Sequence, residues 1–401
     1  MKKRIIIAGA GFAGMWAAIS AARLIHLNNA DNQVDIFLVS PEPKLTIRPR
    51  LYEAVLEKMD PSILEVLEAA NVKYIRGRVI DIDTQNKAIT VQKPDEETRV
   101  NFDSFVLAAG SQVFHPELKG LKEYSFDVNS LEKARELDAH LQSLAAEPDS
   151  QARNTVVVAG GGLTGLETVT EMPERLNTLF GVESQPQVII VDNAPKIGQA
   201  MGEEACEIIN QALVSSGIAV RTGVRVSSIE ANGVTLSDGE FIPSKTVIWT
   251  AGMRANPLTR FIPGEHDPQG RVIGDSFLRA PEANGIFVTG DTVKVPTDND
   301  GNYNVMSCQH AMSLGRVAGH NAAAELLALP LHPYSQPKYV TCLDLGKWGA
   351  VYTEGWDHQV MYQGEEAKKI KQEINTLWIY PPEPDREKMF SVANPDYIIV
   401  P

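Results

Sequence analysis

Two glycine-rich segments in this chain have the spacing Gly-x-Gly-x-x-Gly, and each follows a short apolar run. Residues 9–14 follow the apolar residues 5–8, and residues 160–165 follow the apolar residues 156–159. Each pattern predicts a buried strand that turns sharply into a helix, with glycines where side chains would block a phosphate group. Backbone N–H groups and the positive helix end can then hold a pyrophosphate. The predicted contacts are Gly9, Gly11, Phe12, Ala13 and Gly14 in the first loop and Gly160, Gly162, Leu163, Thr164 and Gly165 in the second.

The repeat extends beyond the glycines. A second apolar strand is predicted at 34–39 in the first copy and at 188–191 in the second. Each copy then closes on an apolar strand that ends in Ala-Gly, after nearly the same length of chain. This order of parts predicts two related dinucleotide-binding domains, and two such sites in one chain indicate a flavin and a nicotinamide bound face to face. The closing residues predicted to contact the cofactors are Ala109, Gly110, Ala251 and Gly252.

Carboxylates at strand ends are the next candidates, because they can accept hydrogen bonds from ribose hydroxyls. Asp192 ends the second strand of the second copy, and neither following residue is basic. A carboxylate there would repel the extra phosphate of NADPH, so we expect NADH to be preferred, unless Asp192 only caps the strand. In the first copy the acid is either displaced to Glu42 or replaced by the hydroxyl of Ser40.

A further apolar strand at 285–289 ends in Gly290 and Asp291 and is followed by a polar loop and a helix from about Ser307 to Leu327. Asp291 could stand in an ordinary turn. Beside two dinucleotide loops we predict instead that it binds the ribityl chain of the flavin, which returns this segment to the first domain. The helix start would direct its positive end at the flavin. Two residues of its first turn are predicted cofactor contacts, although both could simply bond the backbone: Gln309 and His310.

Composition restricts the partners. The chain has 401 residues, with 51 acidic and 37 basic side chains and a formal charge of −14. This charge disfavours nucleic acid, anionic lipid and strongly acidic electron carriers. The scattered Cys206, Cys308 and Cys342 form neither a disulfide framework nor a metal site, and no apolar stretch is long enough to span a membrane. We therefore predict a cytoplasmic protein without a metal, at most peripheral to the inner face of the membrane.

Over roughly residues 4–360 the chain resembles the type II NADH dehydrogenases, which transfer electrons from NADH to quinones. The resemblance implies FAD and NADH as cofactors, a flavin contact at Arg48 and Pro49, and a carboxylate near both rings at Glu167. A quinone-site motif of the family is matched at Gln309 but departs from it at Cys308. The resemblance thus implies Glu167 and Gln309 as catalytic residues and a quinone-like acceptor.

The predicted fold is α/β, with two Rossmann-like dinucleotide-binding domains for FAD and NADH and a small α+β C-terminal region. The boundaries are 1–115 and 285–335 for the FAD domain, 116–284 for the NADH domain and 336–401 for the last region. Residues 338–352 are predicted to form strands joined by a tight turn. A helix at 365–378 would pack its apolar stripe on its own domain rather than on lipid, with its lysines on the other faces. That stripe consists of Ala367, Ile370, Ile374 and Leu377.

The function we predict is oxidation of NADH by bound FAD and electron transfer to an organic acceptor, a quinone. One alternative is an NADH-dependent reductase of a small iron–sulfur carrier, and another is an NADH-sensing flavoprotein with little turnover. Cys308 and Cys342 could serve sulfide oxidation if they lie close together, but the complete second loop argues against that. The sequence leaves open a homodimer, and it leaves open whether the apolar end at 397–401 touches a membrane.

Overall fold

The computed structural model describes residues 2–399. Its first part contains the strands of one parallel sheet and an antiparallel sheet attached to it. In chain order the elements are β1 (Lys3–Ala8), α1 (Phe12–Leu27), β2 (Val34–Ser40), α2 (Leu64–Ala69), β3 (Lys73–Arg76), β4 (Arg78–Asp83), β5 (Ala88–Gln92), β6 (Glu97–Asn101), β7 (Ser104–Leu107) and β8 (Ser111–Val113).

The second part repeats the strand–helix–strand order of the first. Its elements are α3 (Leu121–Tyr124), β9 (Ser125–Phe126), α4 (Leu131–Ala145), α5 (Gln151–Asn154), β10 (Thr155–Ala159), α6 (Leu163–Phe180), β11 (Gln187–Asp192), α7 (Gly202–Ser215), β12 (Ala219–Thr222), β13 (Val226–Glu230), β14 (Gly233–Leu236), β15 (Phe241–Pro243), β16 (Thr246–Trp249) and β17 (Met253–Ala255).

The rest of the chain returns to the first sheet and then forms a small α+β unit. Its elements are β18 (Val272–Ile273), β19 (Ile286–Val288), β20 (Val293–Lys294), α8 (Cys308–Leu326), β21 (Val340–Asp344), β22 (Ala350–Glu354), β23 (Gln359–Gln363), α9 (Gly364–Glu373), a π-helix (Ile374–Trp378) and α10 (Arg386–Val392).

Two five-stranded parallel sheets form the frame. The first has the order β19-β7-β1-β2-β3 and the second has the order β12-β11-β10-β16-β9. Helices cover the strands, so the central β1 and β10 are buried along most of their length, as continuous apolar runs predict. The predicted α/β fold with two Rossmann-like sheets is confirmed. The predicted domain boundaries remain predictions.

The strand that follows residue 285 pairs in parallel with β7, beside β1, and so lies in the first sheet. Helix α8 then crosses α1 at backbone contact. A Cβ built on Gly319 would lie 2.0 Å from the carbonyl oxygen of Ala17, and one on Gly315 would lie 2.4 Å from that of Ala13. Only glycine permits this approach, which places the start of α8 beside the first glycine loop.

The C-terminal strands β21, β22 and β23 form an antiparallel sheet against α9, and the predicted α+β region is confirmed. The predicted helix at 365–378 is α-helical only as far as Glu373 and continues as the π-helix. Ala367, in the α-helical part, is fully buried. The wider turn of the π-helix shifts the helical period, and Leu377 there is 68% exposed. Placing Leu377 on the packed stripe was therefore wrong. Among residues 2–399, no helix combines the length and apolarity needed to cross a membrane. Of the predicted apolar end, Val400 and Pro401 lie outside the described residues.

Candidate active site

The two glycine loops have the same backbone geometry. The first glycine has φ = 120° at Gly9 and φ = 118° at Gly160. A Cβ on the last glycine, Gly14 or Gly165, would lie 1.9 Å from the carbonyl oxygen of that first glycine. The first and the last glycine of each loop are therefore both required for the strand and the helix to pack closely.

The middle glycines, Gly11 and Gly162, cap the two helices and face open space. A Cβ on either would meet no protein atom within 4 Å. Neither helix end has a side-chain cap or an acidic residue in its first turn. The N–H groups at both helix starts thus remain available to an anion, and both loops fit a pyrophosphate.

The predicted ribose carboxylates lie at strand ends but differ in their contacts. Asp192 accepts hydrogen bonds from the backbone N–H of Gly161 (2.5 Å) and of Ala194 (2.7 Å), so its carboxylate is attached to the second loop. Glu42 is largely exposed and lies 3.4 Å from the ammonium of Lys44, while its carbonyl accepts the hydroxyl of Ser40. Ribose binding by either acid remains a prediction.

A mainly apolar cavity of about 320 Å³ lies between the two sheets and the C-terminal unit. It is lined from every part of the chain, including the ends of both loops, the start of α8 and the π-helix. Several of the predicted cofactor contacts do not line it, among them Ala13, the loop glycines, Ala109, Ala251, Asp192 and His310. The residues predicted from sequence that do line it are Phe12, Arg48, Pro49, Leu163, Thr164, Glu167, Asp291 and Gln309.

Asp291 follows β19 after two residues, is mostly buried, and lines this cavity. Its carboxylate accepts the hydroxyl of Ser111 at 2.6 Å and lies 3.8 Å from the guanidinium of Arg48. Burial raises the pKa of Asp291, although Arg48 acts against the rise. Arg48 also donates to Asn129 at 2.6 Å, so Arg48 and Asp291 are both fixed in place. This arrangement can accept hydrogen bonds from a polyol chain.

The start of α8 opens onto the cavity. Ser307 caps the helix through the N–H of His310, and the amide oxygen of Gln309 is buried with no hydrogen-bond partner among the described residues. His310 is buried beside the rings of Tyr339 and Trp356, and burial lowers its pKa to about 4. Gln309 therefore has an unsatisfied acceptor at the cavity, whereas His310 packs behind it.

Sequence reasoning missed one charged side chain of the cavity. Lys371 on α9 was predicted on a polar face, but it is buried and its ammonium donates to Glu167 at 2.7 Å and to the carbonyl of Cys342 at 3.0 Å. That prediction was wrong because a buried carboxylate on α6 provides an ion-pair partner. Burial alone would lower the pKa of Lys371, but Glu167, together with Cys342 and Asp344, outweighs burial and raises it. The pKa of Glu167 is itself raised by burial, with Lys371 opposing the rise.

Two cysteines also line the cavity, Cys308 at the start of α8 and Cys342 on β21. Burial raises the pKa of the Cys308 thiol to about 11 and that of Cys342 to about 12. Burial therefore favours the protonated thiol over the reactive thiolate at both positions.

The family model described as pyridine nucleotide-disulphide oxidoreductase matches residues 3–315 of this chain. A protein of Mycobacterium tuberculosis named NADH dehydrogenase-like protein is 44% identical over 382 residues, which cover 94% of each chain. Demethylphylloquinone reductase of Synechocystis is 29% identical over 359 residues, covering 87% of this chain and 86% of the relative. Among solved structures, that of NDH2 from Plasmodium falciparum in complex with NADH has a TM-score of 0.79 at 13% identity, covering 98% of this chain and 97% of that one.

Proposed function

The chain belongs to the pyridine nucleotide-disulphide oxidoreductase family, and from that membership we propose that it oxidises NADH and reduces a quinone. It is an NADH dehydrogenase-like oxidoreductase with FAD and NADH as cofactors. The observation that carries the choice of acceptor is the apolar cavity in which the buried Lys371–Glu167 pair meets residues from both glycine loops.

We assign the first loop and Asp291 to FAD, and the second loop with Asp192 to NADH. When bound, the flavin supplies the capacity to accept a hydride and to release its electrons to a second substrate. Gly11 and Gly162 would leave the backbone N–H groups free for the two pyrophosphates. Asp291 and Arg48 would hold the polyol and phosphate part of FAD.

Apart from the residues assigned to FAD, the cavity lining suits a small aromatic acceptor. Its surface is mostly apolar, with Met312, Trp378 and Ile379 among the lining side chains. An apolar site that buries most of a ligand excludes water and favours a ring over a charged ion. The Lys371 ammonium would donate a hydrogen bond to an acceptor oxygen and stabilise the negative charge that develops there during reduction. Glu167 would keep Lys371 charged and in position.

The alternative of an iron–sulfur carrier has less support. A protein partner docks on an outer face, and this chain carries a formal charge of −14, which repels an acidic carrier. The Synechocystis relative, which is named as a quinone reductase, aligns over most of both chains. We therefore retain the quinone as the proposed acceptor.

The test is steady-state turnover of the FAD-loaded protein with NADH and either menadione or ferricyanide. We expect turnover with both, and we expect Lys371→Met to lower the menadione rate about tenfold or more while changing the ferricyanide rate little. The control variant is Lys369→Met, at an exposed position of the same helix. Ferricyanide turnover without any quinone turnover by the wild-type protein would refute the proposal.

A further inference from the structure

A second ion pair lies beside the Lys371–Glu167 pair. Asp344, the last residue of β21, accepts the ammonium of Lys368 at 2.5 Å and the N–H of Gly346 at 2.9 Å on one carboxylate oxygen. Its other oxygen accepts the hydroxyl of Tyr52 at 3.1 Å. Tyr52 is 292 positions away in sequence and is 4% exposed, so the contact is made deep between separate parts of the fold.

The two ion pairs are connected and differ in their access to water. The backbone N–H of Asp344 donates to Glu167 at 3.3 Å, the same oxygen that accepts Lys371. The two lysines are three positions apart on α9 and so share one helix face. The side chain of Lys368 is 28% exposed, whereas those of Asp344, Glu167 and Lys371 are 8–9% exposed. The outer pair thus reaches solvent, and the inner pair lines the cavity.

The proposed reaction needs a proton from water. Quinone, NADH and one proton give quinol and NAD⁺, so the hydride supplies two electrons and one hydrogen, and solvent supplies the other. We propose that Lys368 and Tyr52 fix Asp344, and that Asp344 through its backbone N–H fixes Glu167, so that the Glu167–Lys371 pair is held in position to pass this proton to the acceptor. The inference rests on the proposed function. These three are positioning residues, since they act through the inner pair.

The charges around these three residues are compatible with this task. Burial, and then the negative charges of Glu167 and Asp344, raise the pKa of Tyr52 well above its usual value, so its hydroxyl keeps its proton. Glu53 also faces Tyr52, but it is paired with Arg50 at 2.6 Å. On α6, Glu171 feels Asp344, Lys368 and Arg175, and burial raises its pKa. The two lysines and two carboxylates of the two ion pairs balance in charge.

The test compares Tyr52→Phe and Lys368→Met with the control Lys369→Met. Menadione needs a proton and ferricyanide takes only an electron. We expect both test variants to lose about tenfold or more in menadione turnover, a typical contribution of assisted proton transfer, with ferricyanide turnover near that of the control. FAD content and the KM for NADH show whether each variant is intact.

A spectroscopic titration gives a readout independent of turnover. The visible absorption of the oxidised, FAD-loaded protein is recorded against pH, and a nearby ionisation shifts it. Removing the Lys368 ammonium leaves Asp344 unpaired and should raise the pKa of Glu167, so the spectral transition moves to higher pH than in Lys369→Met. Unchanged menadione turnover and an unchanged transition in both test variants would overturn this positioning role. The wild-type menadione rate alone decides the proposed function, so the two failures are distinguishable.

Discussion

Two histidines of α8, one buried and one partly buried, show how the fold sets the protonation of single residues. His310 is fully buried at the start of α8, and His320 lies further along the same helix. Burial lowers the pKa of each to about 4, and for His320 the neighbouring His332 and Arg23 add to this. Both rings are therefore neutral in the folded protein at physiological pH, although both would titrate near 6.5 in the unfolded chain.

This difference predicts an acid-sensitive fold. Between about pH 6.5 and pH 4 the unfolded chain binds protons that the folded protein does not, so the free energy of unfolding falls as the pH is lowered through this window. His310 alone should contribute about 3 kcal/mol of this loss. Urea unfolding at pH 7 and at pH 4.5 measures it. His310→Gln should flatten the dependence, whereas the exposed His26→Gln should not; equal slopes for both variants would contradict the assignment.

At the scale of elements, the glycines of each strand–loop–helix unit have two different roles, one in folding and one in ligand binding. A Cβ at Gly14 or Gly165 would collide with the loop backbone, so these glycines are needed for folding. A Cβ at Gly11 or Gly162 meets no protein atom, and the backbone there is extended, so another residue fits sterically. The middle glycines are therefore needed only where a ligand approaches.

This separation lets each cofactor be removed in turn. We expect Gly11→Val to fold but to be purified without FAD, and so to be colourless. Gly162→Val should keep FAD and its yellow colour but lose NADH binding, with the KM for NADH raised about tenfold or more. Circular dichroism checks folding, and absorption at the flavin bands measures FAD content. Loss of FAD in Gly162→Val with retention in Gly11→Val would reverse our assignment of the two loops.

At the scale of the whole molecule, the sequence predicted what repeats locally and missed what meets across the fold. Both loops, their strands and the returning strand before Asp291 follow from apolar runs and glycine spacing. The pairing of Lys371 with Glu167 joins residues 204 positions apart, and no pattern along α9 distinguishes a buried lysine from an exposed one. Leu377 was misplaced because a π-helix changes the period on which the stripe was counted.

The cavity joins segments that are distant along the chain, so FAD should stabilise more than the loop that binds its phosphates. Arg48, Asp291, the start of α8 and α9 all contribute lining residues. A ligand that binds only the folded state stabilises it by about 2.7 kcal/mol at a hundredfold excess over its Kd, and every element that must be closed for binding shares this protection. We expect FAD to slow amide hydrogen exchange in α9 (Gly364–Glu373) as well as in α1, with no effect in the Gly11→Val variant. Protection confined to the first sheet and α1 would mean that the C-terminal unit opens independently of the flavin. In that case bound FAD would not hold Lys371 at the cavity.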